Sequence, residues 1–208
     1  MKAFIAGIAV LWSSAGYAEL EMGTWRTSGY PITKNGALLG CEIEFTNLNW
    51  DYAYRHNQIK VSGSISMNQN QGTPSFLYKV VVEDFIESGT DISTKPSTPA
   101  SINLVAPDGR SSKGLEIVSA ESDTLGGRVN VYPFSREFID LLQSILEQQS
   151  ATILFNRRPD GLDVRVPVDF TVASTDASGN KTINNSAVTN FTSCSRTLLK
   201  DLLKSSTK

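Results

Sequence analysis

Apolar and polar side chains alternate one for one along most of the chain. Cys41, Ile43 and Phe45 alternate with Glu42, Glu44 and Thr46. Ile59, Val61, Gly63, Ile65 and Met67 alternate with Lys60, Ser62, Ser64 and Ser66. A period of two is the signature of strands with one buried face. Residues 76–85 are apolar on both parities, at Leu77, Tyr78, Val80, Val81 and Val82, and predict a central strand. Shorter strands are predicted over 101–106, 115–119, 128–132 and 151–157. Over 162–170 the alternation predicts Leu162, Val164, Val166, Val168 and Phe170 facing in, with Asp163, Arg165, Pro167 and Asp169 facing out. Pro167 lacks the amide a ladder needs, which places this strand at an edge or a bulge.

Two Pro-Asp-Gly turns punctuate these runs, Ala106-Pro107-Asp108-Gly109 and Arg158-Pro159-Asp160-Gly161. Proline presets φ at the second position, aspartate caps locally, and glycine is expected in the left-handed conformation. Residues 68–74, 88–100 and 176–186 are polar and read as loops, the last of them mobile.

One segment changes period. Over 135–149, Phe138, Leu141, Leu142 and Ile145 recur at helical spacing, widened by Ile139 and Leu146. Ser135 suits the cap and Glu137 the positive end of the helix dipole. The stripe is expected to face the core. Residues 198–203 carry Leu198, Leu199, Leu202 and Leu203 and predict a short C-terminal helix. These elements predict a mainly β fold: an antiparallel β-sandwich, or a flattened barrel, with one packed α-helix, in a single domain over 19–208.

The first residues follow a different logic. Lys2 precedes an apolar run over 3–12, and Gly16 and Ala18 place small residues at −3 and −1 of a cut before Glu19. This is the layout of a cleaved secretory signal over 1–18. The run is roughly half of the about 20 residues that span a bilayer. No further apolar run of that kind follows, so a periplasmic or secreted chain without a transmembrane segment is expected.

The net charge is −2, and loss of Lys2 with the signal makes it one more negative. Weak acidity argues against nucleic acid, which rewards clustered Lys and Arg. The two cysteines, Cys41 and Cys194, form a natural disulfide pair in an oxidising compartment. The bridge is expected to clasp an early strand to a late one. Two cysteines and one histidine are too few for a zinc site, and no cofactor motif occurs.

The side chains able to do chemistry are sparse. His56 has no GxSxG partner and reads as a loop residue. Asp163 and Asp169 lie too far apart along one strand for paired-carboxylate hydrolysis. No catalytic residue is expected. Trp25, Trp50, Tyr52 and Tyr54 form the candidate ligand-binding set, since exposed aromatic rings stack on sugars. Arg157 and Arg158 are candidate anion contacts. Asn180, Asn184 and Asn190 begin Asn-x-Ser/Thr sequons.

Residues 101–170 carry a further pattern. A strand ends in a Pro-Asp-Gly turn, and further strands follow. Then come a Phe138-Ile139-Asp140-Leu141-Leu142 helix, the strand Ala151-Thr152-Ile153-Leu154-Phe155, a glycine turn and Val164-Arg165-Val166-Pro167-Val168. This order resembles the invasion-associated locus B family of exported alphaproteobacterial proteins. It departs from that family between Arg128 and Ser135, where a close cysteine pair is missing. The resemblance implies a periplasmic or outer-membrane-associated accessory protein, in some relatives connected with host-cell entry, with no catalytic residues to carry over. The expected function is therefore non-catalytic, by interaction with another envelope or host protein. The alternative is a carbohydrate or small-ligand module built on the aromatic set.

Overall fold

The computed structural model describes residues 22–70, 73–88, 91–118 and 124–205. The signal sequence expected over 1–18 lies outside them. Among the described residues, strands form a large antiparallel sheet, a smaller one and a hairpin. The large sheet runs in chain order through β1 (Gly23–Lys34), β2 (Ala37–Asp51), β3 (Asn57–Asn70), β4 (Thr73–Ser88) and β5 (Asp91–Pro96). The smaller sheet has the order β6 (Ser101–Val105), β8 (Ser150–Asn156), β9 (Val164–Asp169). β7 (Gly127–Pro133) joins the large sheet, pairing with β4 over Ser75 to Val81 while β5 takes the Glu83 to Ser88 end. β4 is thus central, as its two-sided apolar pattern predicts.

The inward parity of each strand builds the core. Ile43, Phe45, Ile59, Val61, Ile65, Tyr78, Val80 and Val82 from the large sheet meet Ile102, Leu104, Ile153, Phe155, Val166 and Val168 from the smaller. The result is a β-sandwich, and neither sheet closes into a barrel. Buried polar groups stitch the two layers along one side. Asn47 Nδ2 donates to the Pro167 carbonyl at 2.6 Å, and the Asp169 amide donates to Thr24 Oγ1 at 2.8 Å. Pro167 sits on β9, which pairs only with β8 in its sheet, an edge as expected.

Helix α1 (Arg136–Gln148) begins where Ser135 accepts the Phe138 amide and ends at Gln149 in the left-handed conformation. Phe138, Leu141, Leu142 and Ile145 are buried, so the stripe faces the core. Phe138 stacks on Phe76 at 4.8 Å and on Tyr132 at 4.6 Å between ring centroids.

Several local expectations need correction. The helix at the C-terminus, α2 (Ser186–Ser205), is far longer than residues 198–203. Ala187, Phe191, Cys194 and Leu198 recur at i, i+4, i+7 and i+11, a sparse helical stripe laid on β1 and β2. Helix and sheet approach so closely that a Cβ at Gly29 would collide with the Ala187 carbonyl. Cys194 accordingly rides on a helix. The disulfide Cys41–Cys194, with Cα atoms 5.7 Å apart, clasps strand to helix rather than strand to strand.

Residues 88–100 are not all loop, because β5 pairs its polar backbone with β4. Residues 68–74 belong largely to β3 and β4. Residues 176–186 contain β11 (Lys181–Ile183), paired with β10 (Val172–Thr175). Conversely, residues 115–118 are not a strand; the Val118 amide donates to the Val131 carbonyl at 2.8 Å beside β7. At the second Pro-Asp-Gly turn the left-handed residue is Asp160 (φ 57°), not Gly161. Among the described residues, no helix is long and apolar enough to cross a membrane.

Candidate functional site

At one end of the sandwich, the β2–β3 turn and the β8–β9 turn come from different sheets and meet. Each is shaped by a residue whose strand parity points it inward. Asp51 continues the buried parity of Cys41, Ile43 and Phe45, and its side chain is fully buried. Its Oδ1 accepts the Tyr54 amide at 3.0 Å and its own carbonyl accepts the His56 amide at 2.7 Å. This folds the turn back on itself and leaves His56 exposed at φ 51°. Aspartate favours such local closure because its short carboxylate reaches nearby backbone amides.

The other oxygen of Asp51 faces Arg157, which immediately follows β8 on the inward parity of Ile153 and Phe155. Arg157 Nε donates to Asp51 Oδ2 at 2.5 Å, Nη2 to Asp84 Oδ1 at 2.5 Å, and Nη1 to Ser97 Oγ at 2.5 Å. Arg55 Nη1, from the turn, donates to Asp84 Oδ2 at 2.5 Å. Two carboxylates, both at most 2% exposed, therefore face two guanidinium groups, and the charge within the cluster balances. The planar guanidinium of Arg157 suits this role because its fork serves two carboxylates at once.

Outside the cluster, the same turns display apolar surface. Tyr52 is 70% exposed and stacks on Trp50 with ring centroids 6.1 Å apart, and Leu162 opposite is 69% exposed. Trp50, Tyr52, Ala53, Leu162, Asp163 and Arg165 line a recess of about 470 Å³ between the turns. Tyr54 plays another part. Its hydroxyl donates to the Leu162 carbonyl at 2.6 Å, and the Arg158 guanidinium lies over its ring. A Cβ at Gly161 would collide with that hydroxyl, which accounts for glycine here without a positive φ.

The structure thus divides the candidate residues. Tyr52 is the exposed face of the platform and Trp50, half-buried, stacks against it, whereas Tyr54 is a strut behind them. Trp25 lies at the β1 bulge between Thr24 and Arg26 and does not line the recess. Arg157 is not an anion contact, because its guanidinium is enclosed by the protein's own carboxylates. Arg158 stays exposed on the Tyr54 ring. Leu162, expected inward, turns outward because β9 starts only at Val164.

The outer face of the large sheet is polar by contrast. A hollow of about 310 Å³ is bordered by Arg26, Glu42, Glu44 and Lys79 over the serines of β3. Tyr30 Oη donates to Glu42 there at 3.1 Å; burial, then the carboxylates of Glu44 and Glu42, push its phenol far above the ordinary range. Among the described residues, no group of three or more His, Cys, Asp or Glu side chains is placed to hold a metal ion. No family model, curated protein or solved structure matches the chain.

Proposed function

We propose that this chain is an exported, non-catalytic binding protein that engages another envelope or host protein through the Trp50–Tyr52–Leu162 platform. The observation that carries the reading is the exposure of Tyr52 and Leu162 side by side on turns anchored by a buried ion cluster. Large apolar groups left in water on a rigid base favour a partner that covers them, and Trp and Tyr are the side chains enriched at binding hot spots. Asp163 and Arg165 at the recess supply a polar rim of both signs. Export is supported by the signal-like residues 1–18 and by the disulfide. The resemblance of residues 101–170 to the invasion-associated locus B family points the same way.

A second reading, a carbohydrate or small-ligand module, draws on the near-parallel stacking of Trp50 and Tyr52, whose ring faces suit a sugar. A photo-reactive residue at position 52 tests the two. A discrete cross-linked protein, missing when the probe sits at Thr33 instead, supports the protein partner. No cross-link, together with Tyr52-dependent binding on a glycan array, replaces it with the sugar.

A further inference from the structure

On the outward parity of β3, Ser62, Ser64 and Ser66 set three short side chains in a row. Their neighbours are longer. The register places Glu44 of β2 and Lys79 of β4 on either side of Ser64, with Thr46 and Val81 on either side of Ser62. Arg26 on β1 stands opposite Thr46, diagonal to Glu44. Short residues between tall ones leave the hollow of about 310 Å³, at the small end of the roughly 300–1,000 Å³ range of ligand sites. Arg26, Lys79, Glu42 and Glu44 border it, two positive groups and two negative.

The fold leaves part of this lining unmatched. Ser64 is 7% exposed, borders the hollow, and makes no side-chain hydrogen bond among the described residues. A hydroxyl so enclosed has lost most of its water, and a ligand that hydrogen-bonds to it restores the contact. Among the described residues, Arg26, Glu42 and Glu44 form no ion pair. Yet diagonal neighbours on adjacent strands, as Arg26 and Glu44 are, lie only about 7–8 Å apart, within reach of long side chains. Tyr30 Oη donates to Glu42 at 3.1 Å, and Lys79 Nζ donates to Thr124 Oγ1 at 2.6 Å. Arg26 and Glu44 are both exposed, so one ligand can reach the two.

The charges sum to zero, which disfavours polyanions and polycations alike. Phe45, the one aromatic residue of the lining, is 2% exposed and offers no ring face to a sugar. A small molecule carrying both signs on one short frame matches the hollow. We propose that it binds a small free α-amino acid, its ammonium on Glu44, Glu42 and the Ser64 hydroxyl and its carboxylate on Arg26. The guanidinium fork takes a carboxylate through two parallel N–H donors. The site is separate from the platform and does not rest on it.

The test is titration of the intact, isotope-labelled protein with L-alanine, followed by NMR at the Gly63 and Ser64 amides. Ethylamine, which lacks the carboxylate, propionate, which lacks the ammonium, and glucose are run in parallel. The expected result is saturable shifts with L-alanine, and binding about tenfold weaker for ethylamine and for propionate, since each forfeits a charge-assisted contact. Arg26→Gln should lower L-alanine affinity to about that of ethylamine and leave ethylamine unchanged. Glu44→Gln should weaken both. Each substitution is at an exposed position, and an unchanged melting temperature confirms the fold. Absence of shifts with L-alanine overturns the proposal. So does ethylamine binding as tightly as L-alanine, which makes the hollow a simple cation site. Glucose binding where L-alanine does not bind also overturns it, and makes the hollow a sugar site. L-alanine affinity that survives both substitutions overturns it as well, because binding then lies elsewhere.

Discussion

Arg157 Nε and Asp51 Oδ2 lie 2.5 Å apart, joining residues separated by 106 positions in the chain. One end of this contact fixes the turn that carries Tyr52. The other fixes the strand end leading to the turn that carries Leu162. The exposed platform is therefore supported from beneath by a charged group inside the fold.

Arg157→Met tests that support. The methionine fills much of the same space but leaves Asp51 and Asp84 buried, with Arg55 alone for compensation. Breaking a buried ion pair from one side costs about 3–5 kcal/mol. Urea unfolding should show a loss of that size. A change below about 1 kcal/mol would mean that water replaces the guanidinium and the cluster does not brace the turns.

Strand parity marks the members of the cluster as inward, which the expectation of an anion contact at Arg157 overlooks. Asp51 shares the inward parity of Phe45, Asp84 that of Tyr78 and Val82, and Arg157 that of Phe155. A charge at an inward position is uncommon unless paired. What the sequence hides is the pairing itself, because the three residues are brought together by the stacking of two sheets. The same parity argument fails at Leu162, where alternation continues past the point at which the chain joins the ladder. α1 was legible because its stripe is dense and Ser135 caps it. α2 was obscured over 186–197, where Ser and Thr separate Ala187, Phe191 and Cys194 into a sparse stripe. β5 was obscured because a polar edge strand resembles a loop in composition.

The disulfide gives an independent prediction. Cys41 and Cys194 are 153 residues apart in sequence, and closing so long a loop stabilises by about 5 kcal/mol in the chain-entropy model. Peptide mapping without reductant should recover one intramolecular Cys41–Cys194 cross-link. Reduction, or Cys194→Ser in a Cys41→Ser background, should lower the melting temperature by many degrees. An unchanged melting temperature would show that α2 stays on β1 through Phe191 and Leu198 alone.

Two phenols predict an alkaline limit. Burial, then the neighbouring Tyr132, raises Tyr78 well above the usual range, and its hydroxyl donates to the Asn103 carbonyl. Tyr30 is raised by burial and by Glu44 and Glu42. In the unfolded chain both lose their protons near pH 10. The folded state holds protons more tightly, so this stability is fully present below about pH 10 and is lost as pH rises above it. Melting temperature should fall steeply above about pH 10, and less steeply in Tyr78→Phe. Equal slopes would place the alkaline effect elsewhere.

Export predicts a definite N-terminus. Intact-mass analysis of the protein recovered from the periplasm or medium should show Glu19 as the first residue. A retained Met1 in a membrane fraction would contradict both the signal sequence and the compartment.

Recognition through the platform is tested most directly by cross-linking yield from a photo-reactive residue at position 52, measured with and without Leu162→Asp. Leu162 is 69% exposed, so the substitution leaves the core untouched. The melting temperature should stay within a degree or two of the parent, while the cross-linked partner falls at least tenfold as a charge enters the contact. Undiminished cross-linking with Leu162→Asp, at an unchanged melting temperature, would contradict a partner seated across both turns.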